Sequence, residues 1–374
     1  MNQISFWEEE SFLKNIDITI IGSGIVGLTC ALKIRELKPK SRIVILERGY
    51  LPSGASTKNA GFTCFGSPSE LLDDLNNLSE SEVFQLIELR IKGLEKLKKL
   101  IGNSEMNYKE YGSYELFNDK ISFENSLSKL PYLNKKLHHI FKEDTYELFN
   151  KPEKFGLDKN SLIIKNKFEG QIDTGLMMRK LLKLCSDAKI EIFNGFDVDD
   201  FEKQKQCWVV RGKDKQVFTN KLIICNNAFA SKLLLNIDLK PARAQVLITK
   251  PIQNLKIKGC FHMDKGYYYF RNVDNRVLFG GGRNLDFISE ETFNMNPTEM
   301  IQNQLESILK TTILPNQNFE IDKRWCGIMG VGKSKSPILK RIDDNLYCGI
   351  RMGGMGIALG TEIGQELAKM SINQ

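Results

Sequence analysis

Apolar positions along this chain follow two different periods, and together they predict a mixed α/β protein. Short β-branched runs at 18–21 and 42–47 are typical of parallel strands that are buried on both faces. Residues 81–101 carry apolar side chains at helical spacing among lysines and glutamates, which predicts an amphipathic surface helix. Two further helices are predicted, over 174–186 and from near Gly356 to about residue 370.

Shorter apolar runs predict the other strands. They lie at 111–118, 190–192, 208–210, 221–225, 243–249, 267–271 and 276–282, with a turn at 272–275. Residues 119–167 are polar and lysine-rich, and we assign them to a second domain or an insertion. Because blocks typical of parallel and antiparallel sheets alternate along the chain, we expect two interleaved domains. The first would comprise 12–108, 168–236 and 326–374, and the second 109–167 and 237–325.

A glycine motif follows the first strand. Gly22, Gly24 and Gly27 form a G-x-G-x-x-G pattern between that strand and a helix, and Glu47 ends the second strand twenty residues later. The glycines permit a tight turn, close approach of a pyrophosphate and close packing of the helix on the strand, while the acid can accept hydrogen bonds from ribose hydroxyls. The pattern predicts a dinucleotide site, although a strand-to-helix turn without a ligand would need the same glycines.

Composition excludes several other classes of protein. The net charge of +7 is modest for 374 residues, and the lysines are scattered with no interleaved aromatic stripe, so nucleic acid is not an expected partner. Acidic residues near the N-terminus argue against a signal peptide, and no apolar stretch is long enough for a membrane helix. The eight cysteines form no CxxC pair, which indicates free thiols in the cytoplasm and no metal-ligand set.

Residues 53–61, a glycine-rich loop with hydroxyl side chains, identify a family resemblance. With the glycine motif and Glu47, this loop resembles the flavin site of the D-amino-acid oxidase superfamily, which includes glycine oxidase and sarcosine oxidase. Residues 196–198, 226–230, 241–246 and the glycine-rich segment 351–360 resemble further segments of that family. The resemblance implies a Rossmann-type FAD-binding domain interleaved with an antiparallel-sheet substrate domain.

The resemblance also assigns cofactor contacts residue by residue. The helix near Gly356 would direct N–H groups at the N1–C2=O edge of the flavin, where negative charge gathers on reduction. The residues that we expect to contact FAD are Gly22, Ser23, Gly24, Ile25, Val26, Gly27, Glu47, Arg48, Ala55, Ser56, Thr57, Lys58, Asn59, Gly61, Val198, Asn226, Ala228, Gly353, Gly354, Met355, Gly356 and Ile357.

Residues 266–271 resemble the family strand that lines the substrate cavity, with the substrate tyrosine at Tyr267. Strand alternation predicts Tyr267, Tyr269 and Arg271 on one face and Tyr268 and Phe270 on the other. One face would then present two phenols and a guanidinium to the flavin. An aromatic strand in a core is the alternative.

The segment 325–337 departs from the family pattern at one position. Met329 stands where glycine-oxidase-like members have the arginine that binds the substrate carboxylate. A thioether cannot form the bidentate pair of an arginine. Either the anchor has moved or the substrate is not a plain α-amino acid. The candidates for a moved anchor are Arg351, Arg271, Arg283 and Lys333; we favour Arg351, with a structural ion pair as its alternative.

These assignments predict oxidation of the C–N bond of a small amine or amino acid by hydride transfer to flavin N5, with oxygen or another acceptor taking the electrons. None of the three histidines, at 138, 139 and 262, lies in a flavin motif. We expect noncovalent FAD, because no histidine is near 53–61 and Cys326 is one position out of register. The alternatives are a 2-hydroxy acid dehydrogenase, modification of a methylaminomethyl group on tRNA, and a flavin-binding protein without turnover.

Overall fold

The computed structural model describes residues 4–372, which contain two eight-stranded sheets and one two-stranded sheet. The predicted α/β class is confirmed. The α-helices of these residues are α1 (Phe6–Glu8), α2 (Ile25–Leu37), α3 (Pro68–Asn77), α4 (Glu80–Ile101), α5 (Lys120–Phe141), α6 (Thr174–Asp187), α7 (Glu299–Ile308) and α8 (Gly356–Ile372). The strands are β1 (Ile16–Ile21), β2 (Ile43–Glu47), β3 (Phe62–Thr63), β4 (Ser113–Phe117), β5 (Tyr146–Leu148), β6 (Leu162–Asn166), β7 (Gly170–Gln171), β8 (Glu191–Asn194), β9 (Val198–Gln204), β10 (Cys207–Gly212), β11 (Lys215–Ile224), β12 (Lys240–Thr249), β13 (Cys260–Met263), β14 (Tyr268–Val273), β15 (Arg276–Gly281), β16 (Ile321–Val331), β17 (Ile338–Asp343) and β18 (Leu346–Ile350).

The first sheet has the strand order β17-β18-β11-β1-β2-β8, with β10 and β9 attached to β11. The strands from β18 to β8 are parallel to one another. Both faces are buried, since Ile20 and Ile45 point into one apolar cluster while Ile21 and Leu46 point into another. This burial on both faces explains why the strands are continuous apolar runs in the sequence.

Two long helices begin at the carboxyl edge of the first sheet, α2 directly after β1 and α8 after β18. They pack closely because glycines leave room: a Cβ added at Gly364 would lie 2.1 Å from Thr29 Oγ1. The helix α4 packs on α8 in the same way, since a Cβ at Gly93 would lie 1.9 Å from the Ala358 carbonyl oxygen. The N-termini of α2 and α8 are therefore held side by side.

The second sheet has the order β16-β12-β15-β14-β13-β4-β6-β5. Its outer face is a core of Phe261, Phe270 and Phe279, covered by the apolar side of α7. On its inner face, Val246, Tyr269, Leu278 and Trp325 pack with Ala60 from the loop 53–61. The inner face of the second sheet and the carboxyl edge of the first therefore meet at this loop.

Most predicted elements are confirmed, and one long helix was missed. The helix α5 lies within the stretch that showed no cofactor-like pattern, although Phe123, Leu130 and Leu137 are buried along one side of it. Asp119 caps its N-terminus by accepting a hydrogen bond from the Ser122 N–H (2.8 Å). Pro131, which sits inside the helix, disguises the pattern in the sequence.

The interleaving of strands has one consequence for the predicted boundaries. β16 belongs to the second sheet and continues to Val331, so residues 326–331 do not share a sheet with the rest of 326–374. The other predicted boundaries stay predictions. No helix within residues 4–372 is long and apolar enough to cross a membrane. All eight cysteines are free thiols, and Cys207 alone among them is not buried.

Candidate functional site

The turn between β1 and α2 is built by its three glycines. Gly22 has φ +103°, and its N–H donates to the Leu46 carbonyl oxygen at 2.8 Å. A Cβ at Gly27 would lie 2.0 Å from the Gly22 oxygen, so α2 can approach β1 only with glycine there. Gly24 is extended, and a Cβ on it would lie 2.9 Å from Ser56 Oγ. The missing Cβ makes room for the Ser56 hydroxyl at the start of α2.

Glu47 is buried at the end of β2 and connects three segments. Its carboxylate accepts hydrogen bonds from Ser23 Oγ (2.6 Å), Ser53 Oγ (2.9 Å) and the Gly49 N–H (3.0 Å). The predicted ribose acid therefore lies beside the glycine turn and the start of the loop 53–61. Ser23, Ile25 and Val26 are also buried at this turn.

Arg48 and the segment 196–198 line the outer end of this edge. The Arg48 guanidinium lies 3.6 Å from the centre of the Phe229 ring, and its Nε donates to Ser53 Oγ at 3.2 Å. The Phe196 N–H donates to the Glu47 carbonyl oxygen at 2.9 Å, which brings Val198, the first residue of β9, to the end of β2. The structure thus brings together the segments predicted to surround an adenosine.

The loop 53–61 is held mainly by its own side chains. Ser56 Oγ accepts the Ile25 N–H of α2 at 3.0 Å. Asn59 donates to the Ser56 carbonyl oxygen at 2.8 Å and accepts the Gly61 N–H at 2.9 Å, while Thr57 Oγ1 donates to the Pro52 carbonyl oxygen at 2.7 Å. Thr57 and Asn59 were predicted to contact the cofactor; in this structure their polar groups stabilise the loop.

β16 lies between the loop and the C-terminal glycine turn. Trp325 Nε1 donates to the Lys58 carbonyl oxygen at 2.9 Å, and a Cβ at Gly327 would lie 3.3 Å from Lys58 Cβ and 4.0 Å from Ala55 Cα. One strand position further along this side, the Met329 sulfur would lie 3.2 Å from a Cβ at Gly354. Met329, which stands at the position of the family arginine, therefore faces the C-terminal glycine turn.

The glycine turn itself leads into α8. Gly353 and Gly354 have φ +55° and +85°, and the Gly353 N–H donates to the Gly330 carbonyl oxygen at 3.0 Å. Met355 continues the turn, and Gly356 and Ile357 begin the helix. The first N–H groups of α8 and α2 consequently share the carboxyl edge of the first sheet.

Asn226 and Ala228 lie on the turn that follows β11. Ala228 is fully buried, and a Cβ at Gly22 would lie 3.1 Å from Asn226 Cα. The Asn226 Oδ1 is buried without a hydrogen-bond partner among residues 4–372. A buried acceptor without a donor is costly, so an atom of this kind beside a glycine turn indicates a ligand that donates to it.

The inner face of the second sheet carries Tyr269 and His262 opposite each other in register. The Tyr269 ring lies against Gly280, where a Cβ would approach it to 2.7 Å, and burial raises the pKa of Tyr269 to about 12. Both rings meet Phe62 edge to face, at 5.7 Å for Tyr269 and 5.3 Å for His262. Sequence reasoning missed His262, because strand pairing and not a motif brings it here.

The predicted alternation of β14 is confirmed for its strand residues. Tyr268 and Phe270 point into the outer core and Tyr269 points inward. The predicted strand start is wrong by one residue, because Tyr267 lies in the preceding turn and meets Phe287 edge to face at 5.7 Å. Tyr267 therefore lies outside the alternating part of the strand.

Arg271 was predicted to face the substrate, and the structure gives its donors other partners. The guanidinium is buried and donates to the carbonyl oxygens of Ala60, Ile172 (3.0 Å) and Asn272 (3.2 Å). A Cβ at Gly61 would lie 2.6 Å from its Nη2. Arg271 thus joins β14 to the loop 53–61 as a structural clamp.

Arg351 was the favoured replacement for the carboxylate anchor, and a structural ion pair was the alternative role. In the structure it forms an ion pair with Asp238. Its Nη1 lies 2.6 Å from an Asp238 carboxylate oxygen and donates to the Asp238 carbonyl oxygen at 2.9 Å, while Nε donates to the Ser336 carbonyl oxygen at 2.9 Å. The residue adopts φ +63°, and its N–H donates to Asn227 Oδ1 at 3.0 Å. Protein acceptors therefore engage Nε and Nη1 of the guanidinium, which favours the structural alternative, and the substrate role of Arg351 stays a prediction.

Arg283 differs from Arg271 and Arg351 in the partners of its guanidinium. It is half-buried after β15, with its guanidinium 4.7 Å from the centre of the Phe287 ring, beside Tyr267. Within residues 4–372 it has no hydrogen bond or ion pair. Lys333, the last candidate anchor, is exposed. Cys326 is buried on β16 next to Arg243 and Glu290, and burial raises the pKa of its thiol to about 11.

A second group of polar residues lies behind Phe62. Ligand atoms of Cys64, Glu169 and His262 lie within 4.8 Å of one another. The sequence analysis found no metal-ligand set, because these residues are about a hundred positions apart and only the tertiary fold joins them.

The fold and the edge site define an α/β protein that binds a dinucleotide. The model of the DAO family, described as FAD dependent oxidoreductase, matches residues 17–370. A probable oxidoreductase, OrdL, of Haemophilus influenzae is 22% identical over 96% of this chain and 83% of its own length. The gamma-glutamylputrescine oxidoreductase of Escherichia coli is 22% identical over 95% of this chain and 83% of its own.

Solved structures show the same fold. The glycine oxidase of Bacillus cereus superposes with a TM-score of 0.78 at 17% identity, covering 96% of this chain and 95% of that one. The chain belongs to the DAO family of FAD-dependent oxidoreductases, and FAD is its cofactor. The resemblance seen in the sequence is confirmed.

Proposed function

We propose that this enzyme oxidises the C–N bond of a small amine or amino acid and that its substrate lies between the inner face of the second sheet and the loop 53–61. The observation that carries the proposal is the inner face itself, where Tyr269 and Trp325 pack beside Ala60 of the loop 53–61 and Met329 lies against the C-terminal glycine turn. The named activities of the glycine oxidase and the gamma-glutamylputrescine oxidoreductase support the same substrate class.

The predicted cofactor residues fit FAD on features of this structure. Gly24 has no side chain of its own beside the start of α2, and Asn226 offers a buried acceptor without a partner among residues 4–372. Glu47 lies beside the glycine turn, where we expect ribose hydroxyls to bind. The start of α8 would stabilise negative charge on the ring. FAD supplies the two-electron acceptor for the C–H bond beside the substrate nitrogen.

The chain's own residues exclude water and hold the substrate. Phe62, Trp325 and Met329 provide apolar surface, and the raised pKa of Tyr269 keeps its phenol neutral and able to donate a hydrogen bond. With no partner among residues 4–372, the Tyr269 hydroxyl is available to a substrate oxygen or nitrogen. Positioning and desolvation of a neutral amine then supply much of the rate.

Arg283 is the anchor that we propose for an acidic group on the substrate. Arg271 donates from all three of its side-chain nitrogens and Arg351 from Nε and Nη1 to protein acceptors. Arg283 is half-buried beside Tyr267 and has no hydrogen bond or ion pair within residues 4–372, although the charge of Glu290 acts on it. A carboxylate held there would lie beside Tyr267, which packs at the edge of the outer core, and not at Met329. This arrangement favours a substrate whose carboxylate is placed differently from that of a plain α-amino acid.

Oxidation of a 2-hydroxy acid is the second candidate. It was disfavoured in the sequence because no histidine lay in a flavin motif, and His262 on the inner face removes that objection. An imidazole beside Tyr269 that binds no metal ion could accept the hydroxyl proton of such a substrate.

An anaerobic screen tests the proposal. Purified holoenzyme is mixed with amines, amino acids and hydroxy acids, and loss of flavin absorbance is followed before oxygen or an artificial acceptor is added. We expect bleaching by amines or amino acids and not by hydroxy acids. Bleaching by hydroxy acids alone supports the second candidate, and a flavin that no compound reduces supports a binding protein without turnover.

Four other expectations remain proposals. The physiological electron acceptor is oxygen or another acceptor, and the rate of reoxidation in air measured against that with a quinone or dye distinguishes them. A cytoplasmic location, noncovalent attachment of FAD and the absence of a nucleic-acid partner also stay predictions; flavin released by acid precipitation would support noncovalent binding.

A further inference from the structure

Cys64, Glu169 and His262 converge for a reason that lies in strand pairing. β3 and β7 are antiparallel, with Thr63 opposite Gly170, so the next residues outward, Cys64 and Glu169, face each other. His262 comes from β13 of the second sheet. All three residues are buried, at 3%, 0% and 8% exposure, and the His262 side chain is 10% exposed.

The histidine nitrogen in this cluster has no partner. His262 Nε2 is buried and makes no hydrogen bond with residues 4–372, and it lies 4.0 Å from a Glu169 carboxylate oxygen, too far for a hydrogen bond. Burial lowers the pKa of His262, so its imidazole is neutral and keeps a lone pair. An orphaned nitrogen between a thiol and a carboxylate is poorly explained by packing alone.

The carboxylate is already oriented by the groups around it. One oxygen of Glu169 accepts the N–H groups of Phe65 (2.6 Å) and Gly66 (3.1 Å), and the other accepts the Ser113 hydroxyl. Such contacts fix a ligand in place and are typical of the surroundings of metal sites. The second oxygen retains lone-pair capacity toward His262.

We propose that Cys64, Glu169 and His262 bind one divalent cation of borderline softness, of which zinc is the expected ion. Sulfur, nitrogen and oxygen donors from three segments form a set that suits zinc, and three protein ligands leave a fourth position open. Ligand atoms of a tetrahedral zinc site lie about 3.3–3.7 Å apart, so the site contracts by up to about 1 Å on binding. The ion would join the small sheet beside the loop 53–61 to the second sheet.

Metal content tests the proposal without reference to activity. Holoenzyme is stripped with a chelator, dialysed against zinc at micromolar free concentration and analysed for metal, and the zinc K-edge X-ray absorption spectrum is recorded. We expect one zinc ion per chain, with one sulfur among its nitrogen and oxygen ligands. A protein that retains no zinc, or a first shell without sulfur, would overturn the proposal.

Variants then identify the ligands. Cys64→Ser and His262→Gln are each expected to weaken zinc binding by at least tenfold, whereas Cys185→Ala, which removes a buried thiol elsewhere in the chain, should leave zinc binding unchanged. Equal zinc affinity in wild type and in a folded Cys64→Ser or His262→Gln protein overturns the assignment. If one of the two fails to fold, the other and the absorption spectrum decide.

Discussion

Arg271 lies directly against Gly61, with its Nη2 2.6 Å from the position that a Cβ of residue 61 would occupy. The two residues are 210 positions apart, and their contact joins the second sheet to the loop 53–61. Gly61 also has φ +77°, a conformation that side chains with a Cβ rarely adopt. Both reasons require glycine at this position.

Gly61→Ala is therefore expected to weaken FAD binding by at least tenfold and to lower the thermal unfolding midpoint, because the loop must move away from Arg271. The matched control is Gly54→Ala in the same loop, where φ is −82° and nothing lies within 4 Å of the added Cβ. FAD titration followed by flavin fluorescence measures the effect. Equal affinities in the two variants would show that the contact does not shape the cofactor site.

Arg283→Ala tests the proposed anion anchor. Loss of a charge-assisted hydrogen bond costs about 1.5–3 kcal/mol, so the dissociation constant of a simple carboxylate such as acetate, read from the flavin spectrum, should rise about tenfold or more. Arg276→Ala is the control, because Arg276 lies on the same hairpin but pairs with Asp322. A carboxylate that binds Arg283→Ala as tightly as wild type would remove Arg283 from the site.

Arg351 and Asp238 are expected to be coupled in stability. In a double-mutant cycle of Arg351→Gln and Asp238→Asn, urea unfolding should give a coupling energy of about 1 kcal/mol, since Asp238 is partly exposed. The exposed pair of Lys250 and Glu320 serves as comparison and should couple by less than about 0.5 kcal/mol. Additive effects on unfolding together with weaker carboxylate binding in Arg351→Gln would instead restore the substrate role.

Glu115 is expected to make stability depend on pH. It is buried on the inner face, and burial raises its pKa to about 7 although Ser69 and Ser67 donate hydrogen bonds to it; Glu70 adds a like charge. Below the unfolded-state pKa of about 4.5 the group is protonated in both states. As the pH rises toward 7 the unfolded form ionises first, so up to about 3 kcal/mol of stability is lost.

Urea unfolding of wild type and Glu115→Gln from pH 4.5 to pH 8 measures this effect. The difference in unfolding free energy should change between about pH 4.5 and 7 and become flat above, since the variant has no carboxyl to ionise. Exposed Glu153→Gln is the control and should parallel wild type. Parallel curves for Glu115→Gln would mean that the folded-state pKa of Glu115 is not raised.

The glycine turn shows most clearly which features can be predicted from the sequence. Gly22, Gly24, Gly27 and Glu47 act through contacts between adjacent elements, so spacing along the chain predicts the start of α2, the neighbouring strand and the family. The helix α5 carried a comparable local signal that Pro131 disguised. Local periodicity is readable because it depends on residues within one element.

The substrate side depended on the tertiary structure. Carbonyl and carboxylate groups far away in sequence decide whether the guanidinium of an arginine has a hydrogen-bond partner. Examples are Arg271 with the Ile172 carbonyl oxygen and Arg351 with Asp238. Strand register brought His262 opposite Tyr269. The sequence by itself determined the α/β class and the cofactor family, because these rest on short-range patterns; the fold decided which charged side chains have partners, because that follows from long-range packing alone.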